Sequence, residues 1–303
     1  MSAPDHASSC ELDALLSSAS VEVTSRGHQP AELRDHFAAG TEVTITFLPG
    51  DNYRHNIETA SVLRRAGFNP VPHIAAREMP SREALDDFLA RIRGEADVTR
   101  ILLIAGDVAA ARGPFKSSFD VRASGLIEAR GIARVSLAGY PEGHPYLPAD
   151  AAFGGLEAWR DWGQQTKIRV DVVTQFCFES APILGWIGKF DARGIDLPVI
   201  VGLAGPASPA TLTKFALRCG IGNSIRSLRS QIGRFGRLLA DTGPDDVMRG
   251  LQLAPREATA SIAGFHLFPF GGLRKAAEWL RNYRAETRRQ MAQVAPRTGA
   301  QNP

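Results

Sequence analysis

The sequence predicts a single (β/α)₈ TIM barrel, an α/β fold in which eight parallel strands alternate with helices. Three observations lead to this prediction. Short apolar runs of strand length alternate with helix-length amphipathic segments along most of the chain. There are eight such runs, and most are apolar on both faces, as is typical of buried parallel strands. No Pro-, Gly- or Ser-rich linker divides the 303 residues, which favours one domain over two.

The predicted strands are rich in Val and Ile. In chain order they span residues 19–24, 42–47, 69–74, 100–105, 133–138, 170–176, 197–203 and 260–267. Each is followed by a helical pattern. The predicted helices span residues 31–39, 53–66, 82–93, 119–129, 156–165, 180–193, 208–219 and 273–283. This alternation implies parallel strands that are joined by right-handed crossovers.

The barrel is predicted to span residues 19–285. Residues 1–18 are interpreted as an N-terminal arm that leads into a short helix, and residues 286–303 as a flexible, polar C-terminal tail. Two extra helices are predicted between about residues 222 and 252, before the last strand.

Composition argues against several classes of protein. There is no apolar run long enough for a transmembrane helix, and the N-terminus lacks the pattern of a secretory signal. The net charge of +3 is too small to indicate nucleic-acid binding. The three cysteines are far apart, which favours a reducing compartment and therefore the cytoplasm. The histidines show no metal-binding spacing, so no metal is expected. Because the chain has no apolar run of membrane-spanning length, no membrane partner is expected either.

In such barrels the chemistry lies at the carboxyl ends of the strands, so polar residues there are candidates. Glu22 stands between valines in the first strand, where burial would raise the pKa of its carboxyl and suit it to general acid catalysis. Alternatively, it points outward or pairs with a barrel arginine. Asp107 ends the run ILLIAGD, either as a site carboxylate or as a helix N-cap.

The loop GYPEGHP follows the fifth predicted strand at residues 139–145. It carries Tyr140, Glu142 and His144 on a loop that also contains two prolines, which stiffen the chain. This order of residues is unusual for a connecting loop, and we interpret it as a polar platform at the site.

Two further segments carry polar groups at strand ends. Gln175 lies between apolar neighbours, where a buried amide must be hydrogen-bonded. It either reads a flat heterocycle or bonds to the core backbone. After the last strand, glycines 271–272 open a helix with Arg274 and Lys275 in its first turn. This arrangement predicts either an anion site or a plain helix start with solvated basic residues.

Taken in chain order, these segments resemble the methylenetetrahydrofolate reductase family, flavin-dependent barrels of one-carbon metabolism. The resemblance extends from about residue 21 to about residue 283. Its strongest points are Pro72-His73, Gly106-Asp107, GYPEGHP and residues 174–176.

The resemblance implies catalytic roles for Glu22, Asp107 and Gln175. Glu22 matches the glutamate that helps open the folate ring, Asp107 an aspartate near flavin and pterin, and Gln175 a glutamine that contacts folate and nicotinamide. Phe215 matches a phenylalanine that packs against the substrate, and we assign Arg274 to the carboxylate tail of folate. The positions expected to bind FAD are Thr46, His73, Gly106, Asp107, Arg122, Ala123, Tyr140 and His144.

The sequence departs from the family pattern mainly where the phosphates and adenosine of FAD are expected. A family arginine before Gly-Asp is Ala105 here, a family tyrosine aligns with Arg122, and a family lysine with Gln164. We therefore expect weak FAD binding, with Arg122 as the main remaining phosphate partner.

The resemblance implies a cytoplasmic flavoprotein oxidoreductase that interconverts 5,10-methylenetetrahydrofolate and 5-methyltetrahydrofolate with FAD and NAD(P)H. The direction, the choice of NADH or NADPH, and homo-oligomer formation are left open. The alternative is a divergent barrel without FAD that binds tetrahydrofolate or transfers a one-carbon group.

Overall fold

The computed structural model describes residues 6–25, 30–48, 50–106, 108, 110–144, 148–219 and 241–294. Within these ranges eight parallel strands form a closed barrel in sequential order, which confirms the predicted fold. The strands are β1 Ser20–Thr24, β2 Glu42–Thr46, β3 Asn69–Ala75, β4 Arg100–Ile104, β5 Arg134–Gly139, β6 Arg169–Phe176, β7 Val199–Ala204 and β8 Ile262–Phe268.

Helices surround the barrel and connect successive strands. They are α1 His6–Ser17, α2 Pro30–His36, α3 Tyr53–Arg65, α4 Arg82–Ala96, α5 Ser118–Ala123, α6 Leu126–Ala129, α7 Ala149–Thr166, α8 Ser180–Arg193, α9 Pro209–Arg218, α10 Asp245–Gln252, α11 Arg256–Thr259 and α12 Leu273–Val294. A 3₁₀ turn, Ala76–Glu78, follows β3. No helix in the described ranges is long and apolar enough to cross a bilayer.

Strand alternation separates an outer core from the barrel interior. Val43 and Ile45 of β2 are fully buried and belong to the large cluster that packs strands against helices. Side chains alternate along a strand, so Thr44 and Thr46 point to the interior. The outer core is therefore apolar, whereas the interior carries much of the polarity of the strands.

The interior is layered along the barrel axis. A charged layer lies at the N-terminal ends of the strands and consists of Glu42, Arg100, Arg134 and Asp171. Above it lies an apolar cluster of Val71, Leu102, Val173 and Ile200. Polar residues again follow towards the C-terminal ends, where barrel chemistry is found. The apolar layer separates the candidate site from the charged end.

The helices nearest the two ends of the described chain pack against each other. Helix α1 is packed rather than loose, because Leu12 and Leu16 are buried and Asp13 accepts hydrogen bonds from Arg284 (3.0 Å) and Arg288 (2.9 Å) of α12. Helix α12 accordingly continues to Val294, beyond the predicted start of a flexible tail at residue 286. Of the segment predicted to hold two extra helices, residues 220–240 lie outside the described ranges. Helices α10 and α11 precede β8.

Candidate functional site

Glu22 lies on the interior face of β1. Val21 and Val23 on either side belong to the outer core, so alternation turns the carboxylate inward, and its side chain is 19% exposed. Within the described part of the chain, its ion-pair neighbour is His73 rather than an arginine, with 3.9 Å between His73 Nε2 and Glu22 Oε2. The outward orientation that the sequence left open is therefore wrong, and no arginine of the described residues pairs with Glu22.

Burial favours the uncharged form of both members of this pair. It raises the pKa of Glu22 to about 7, and the Thr46 hydroxyl opposes part of this rise. Burial also lowers the pKa of His73 to about 4. Near pH 7 the imidazole is uncharged and the carboxyl retains its proton in about half of the molecules. A carboxyl with this pKa can serve as a general acid at neutral pH.

A second buried histidine lies beside this pair and was not predicted from the sequence. His266 of β8 is paired in register with Ser20 of β1, and its Nδ1 lies 2.8 Å from the Ser20 hydroxyl. Burial is the main cause that lowers the pKa of His266 to about 3, and the neighbouring His73 contributes. The sequence does place a histidine within the last predicted strand. It stands in the apolar run FHLF, which was interpreted only as a buried strand.

His73 has unused hydrogen-bonding capacity. Both of its ring nitrogens are buried and make no hydrogen bond within the described residues. Unpaired buried polar groups cost about 1–3 kcal/mol each. A ligand with a donor or acceptor at this position would remove that cost. The described residues include no group of three His, Cys, Asp or Glu side chains that could hold a metal ion.

The raised pKa of Glu22 predicts a pH-dependent stability difference. A carboxyl with a folded pKa of about 7 and an ordinary value of 4.5 binds more protons folded than unfolded between these values. Wild-type stability therefore falls as pH rises through this window, and Glu22→Gln removes this contribution. We compare the free energy of unfolding of Glu22→Gln with that of the wild-type protein. The value for the variant minus the value for the wild type should rise by about 2–3 kcal/mol from pH 4.5 to pH 7 and then level off.

Urea titrations of both proteins across this pH range measure the difference. Because His73 and His266 are present in both proteins, their own titration largely cancels in it. A difference that is independent of pH would contradict the burial of this carboxyl.

Gln175 and a group of aromatic rings form a second part of the site. The Gln175 side-chain amide donates to the carbonyl of Cys219 at 3.3 Å, while its Oε1 is buried without a partner among the described residues. Phe215 stacks on Phe270 with a centroid distance of 4.1 Å, and Phe176 meets Phe270 edge-on at 4.8 Å. The partly exposed rings of Phe215 and Phe270, backed by the buried Phe176, offer an apolar wall for a flat ligand beside the Gln175 carbonyl oxygen. Phe270 was missed as an individual residue, although the loop that carries it was a candidate.

The loop after β5 carries Tyr140 and His144, whose rings meet edge-on at a centroid distance of 4.7 Å. Glu142 of the same loop interacts with Cys177, directly after β6. Burial, together with the charge of Glu142, raises the pKa of this thiol. This contact ties the loop to β6, so Tyr140 and His144 are held at the C-terminal end of the barrel.

Gly106 forms a sharp corner directly after β4. Its φ of +94° lies in the left-handed region that favours glycine, and a Cβ here would lie 3.3 Å from Cβ of Ala75. The corner therefore folds back onto β3, close to His73. Asp107, predicted both as a catalytic and as a cofactor residue, lies outside the described residues.

Comparison with known proteins identifies the relationship. No family model matches the chain. The 5,10-methylenetetrahydrofolate reductase of Pectobacterium carotovorum subsp. carotovorum is 28% identical over 180 residues, which are 57% of each chain. A solved structure of an uncharacterized protein from Clostridium thermocellum, which binds two copies of 5-methyl-5,6,7,8-tetrahydrofolic acid, has a TM-score of 0.55 at 11% identity, with 91% of this chain and 99% of that chain covered. This chain is therefore similar in sequence to a methylenetetrahydrofolate reductase over just over half of its length. The match spans just over half the length of the curated relative.

The side chain of Arg122 makes contacts that pack two helices together. Its Nη1 donates to the carbonyl of Ala158 at 2.7 Å, and its guanidinium lies 4.9 Å from the ring centre of Phe119 and 5.2 Å from that of Trp159. These contacts join α5 to α7, which argues against the role in phosphate binding predicted for Arg122. Ala123, the last residue of α5, is exposed.

Gln164 lies at the end of the barrel opposite the candidate site. It is two residues from the end of α7, near the N-terminal ends of the strands, and lines an open cavity there together with Arg160 and Leu197. The neutral amide is therefore remote from the corner at Gly106.

The cations at the start of α12 face carboxylates. Arg274 is 62% exposed and lies 3.0 Å from Glu278, while Lys275 lies 2.5 Å from Asp241. Exposed pairs of this kind are weak, so Arg274 stays available to a carboxylate ligand. Of the two alternatives that the sequence left open for Arg274 and Lys275, these exposed pairs fit a plain helix start with solvated basic residues better than a dedicated anion site.

Proposed function

We propose that this protein interconverts 5,10-methylenetetrahydrofolate and 5-methyltetrahydrofolate as an oxidoreductase that uses FAD and NAD(P)H. The observation that carries the proposal is the mostly buried carboxyl of Glu22, 3.9 Å from the imidazole of His73, whose ring nitrogens make no hydrogen bond among the described residues. The name of the curated relative and the folate bound by the structural neighbour support a folate as the substrate class.

The residues around His73 fit a flavin. The two unpartnered ring nitrogens of His73 match the donors and acceptors along the edge of a flavin ring, and Thr46 adds a buried hydroxyl. Gly106 has no side chain and allows a ligand close to its backbone. Tyr140 and His144 supply an aromatic edge. Bound FAD would carry hydride between NAD(P)H and the one-carbon group of folate.

Glu22 supplies the proton chemistry in this proposal. Its protonated carboxyl donates to the folate nitrogen whose bond to the methylene carbon breaks, which leaves that carbon as an electrophilic iminium. In the reverse direction the carboxylate takes the proton back. The pKa of about 7 makes both protonation states accessible at neutral pH.

Gln175 and Phe215 orient the partners. The free Oε1 of Gln175 accepts a hydrogen bond from an amino or amide group, which both pterin and nicotinamide carry. The partly exposed ring of Phe215 packs against the flat face of either partner. Arg274 is available to the carboxylate tail of folate.

The second candidate is a barrel without FAD that binds tetrahydrofolate or transfers a one-carbon group. Two observations favour it. Ala105 offers no cation to a phosphate, and Arg122 is committed to packing. Its folate site would use the same Gln175 and Phe215, so folate binding alone does not distinguish the two candidates.

A reconstitution experiment separates them. The purified protein is mixed with FAD, unbound FAD is removed, and the visible spectrum is followed without oxygen. We expect the blue absorbance of oxidised flavin to be retained, to bleach on addition of NAD(P)H, and to return on addition of methylenetetrahydrofolate. A protein that binds methyltetrahydrofolate in a calorimeter but binds no flavin would refute the proposal in favour of the second candidate.

A further inference from the structure

The segments that follow β3 and β4 meet beside Gly106, and Arg77 lies where they meet. Arg77 lies in the 3₁₀ turn after β3, and its backbone N–H donates to the carbonyl of Ala105 at 2.9 Å. Its Cβ is 3.7 Å from the position that a Cβ on Gly106 would occupy. Arg77 therefore lies at the same corner of the barrel end as the Ala105-Gly106 turn.

The guanidinium of Arg77 is oriented by the loop after β4. Its Nε donates to the carbonyl of Lys116 at 2.9 Å, and Nη1 donates to the carbonyl of Val108 at 3.4 Å. For Nη2 the described residues offer no acceptor. A guanidinium that is fixed on one edge in this way presents its other edge to an anion at low entropic cost.

The described residues of this corner carry more positive than negative charge. Arg112 is balanced by Glu78, with 3.0 Å between Arg112 Nε and Glu78 Oε2, and the buried Glu78 also accepts from the Gly50 N–H at 3.4 Å. Arg77 and the exposed Lys116 have no carboxylate partner in the described part of the chain. Among the described residues of this corner, Arg77 and Lys116 are therefore the cations without a carboxylate partner.

We propose that Arg77 binds the diphosphate of a dinucleotide in this corner, that Lys116 adds a second cation at the rim, and that FAD is the dinucleotide. The inference rests on the proposed function. The planar fork of a guanidinium matches two phosphate oxygens, and such charge-assisted pairs are among the stronger hydrogen bonds in proteins. It reassigns to Arg77 the role that the sequence gave to Arg122.

The test compares ligands with and without phosphate. FAD and riboflavin are titrated into the wild-type protein, Arg77→Gln and Arg77→Lys, with flavin fluorescence as the readout. We expect Arg77→Gln to weaken FAD binding by about 10- to 100-fold, the worth of one charged hydrogen bond, and to leave riboflavin binding unchanged. Arg77→Lys keeps the charge but not the fork, and should retain part of the affinity. Arg122→Gln is the matched control and should leave FAD affinity unchanged.

Each contrary result has a distinct meaning. If Arg77→Gln weakens FAD and riboflavin equally, Arg77 only shapes the loop and the inference is wrong. Unchanged FAD affinity in Arg77→Gln also overturns it. NADH carries the same diphosphate, so an effect on NADH alone would overturn the assignment to FAD. If the wild-type protein binds neither flavin, the proposed function fails and this inference fails with it, whereas failure of the inference alone leaves wild-type binding intact.

Discussion

Replacement of Glu22 by glutamine is expected to slow the reaction with the folate partner by about 10²- to 10⁴-fold, the usual worth of a positioned general acid. Glutamine keeps the size and the hydrogen-bonding character of the protonated carboxyl, but it has no proton to give. The reaction with NAD(P)H does not open the folate ring, so its rate should change little. Rapid mixing without oxygen, followed through the flavin absorbance, measures the two half-reactions separately.

The pH dependence of the same reaction provides the internal control. In the wild-type protein the folate half-reaction should slow as pH rises through about 7, because the carboxyl then loses its proton. Glu22→Gln should lack this dependence. Thr46→Val removes a group that lowers the pKa of Glu22, and should therefore shift the slowing to higher pH. Equal losses in both half-reactions would show that Glu22 has a structural role instead.

The barrel itself was accessible from the sequence because each strand signals its own burial. The first strand was predicted at residues 19–24 and lies at Ser20–Thr24, and the second was predicted at 42–47 and lies at Glu42–Thr46. The prediction for α7 began at residue 156, whereas the helix begins at Ala149. Its first turns, ADAAFGG, carry too few large apolar residues to show a helical period.

Residues of the site could be predicted from the sequence only where the chemistry of a side chain conflicted with that of its neighbours in the chain. Glu22 could be found because a carboxylate among valines requires an explanation. The environment of His266 depends on the register between β8 and β1, which joins it to Ser20, distant in the sequence. The packing of Arg122 could not be predicted either, because the sequence shows its charge but not its contact with the carbonyl of Ala158, 36 residues further along the chain. Contacts across such separations are set by tertiary packing.

The charged layer at the opposite end of the barrel was also beyond the sequence. Its four residues come from four different strands, and Arg100 and Arg134 are direct neighbours in register. Asp171 offsets their repulsion, because it lies 3.2 Å from Arg100 Nη2 and also accepts a hydrogen bond from Arg134. Arg100 further donates to the Ser136 hydroxyl at 2.9 Å and pairs with Glu42. With its side chain 2% exposed, Asp171 is the most deeply buried carboxylate of this layer.

We expect Asp171→Ala to lower the free energy of unfolding by about 3–5 kcal/mol, because it leaves Arg100 and Arg134 with Glu42 as their one shared carboxylate among the described residues. Urea unfolding measures this loss. Asp86→Ala is the matched control: Asp86 also pairs with an arginine, Arg130, but on the surface, where water screens the charges, so its loss should be much smaller.

The apolar layer between the two ends of the barrel predicts that changes in the charged layer do not affect ligand binding at the candidate site. Val71, Leu102, Val173 and Ile200 stand between Asp171 and the candidate site, so folded Asp171→Ala protein should bind methyltetrahydrofolate with wild-type affinity. Calorimetry at low temperature, where the variant stays folded, measures this affinity. A stability loss no larger than that of Asp86→Ala would mean that Glu42 alone compensates both arginines. A loss of folate affinity in folded protein would mean that the charged end and the site are coupled through the apolar layer.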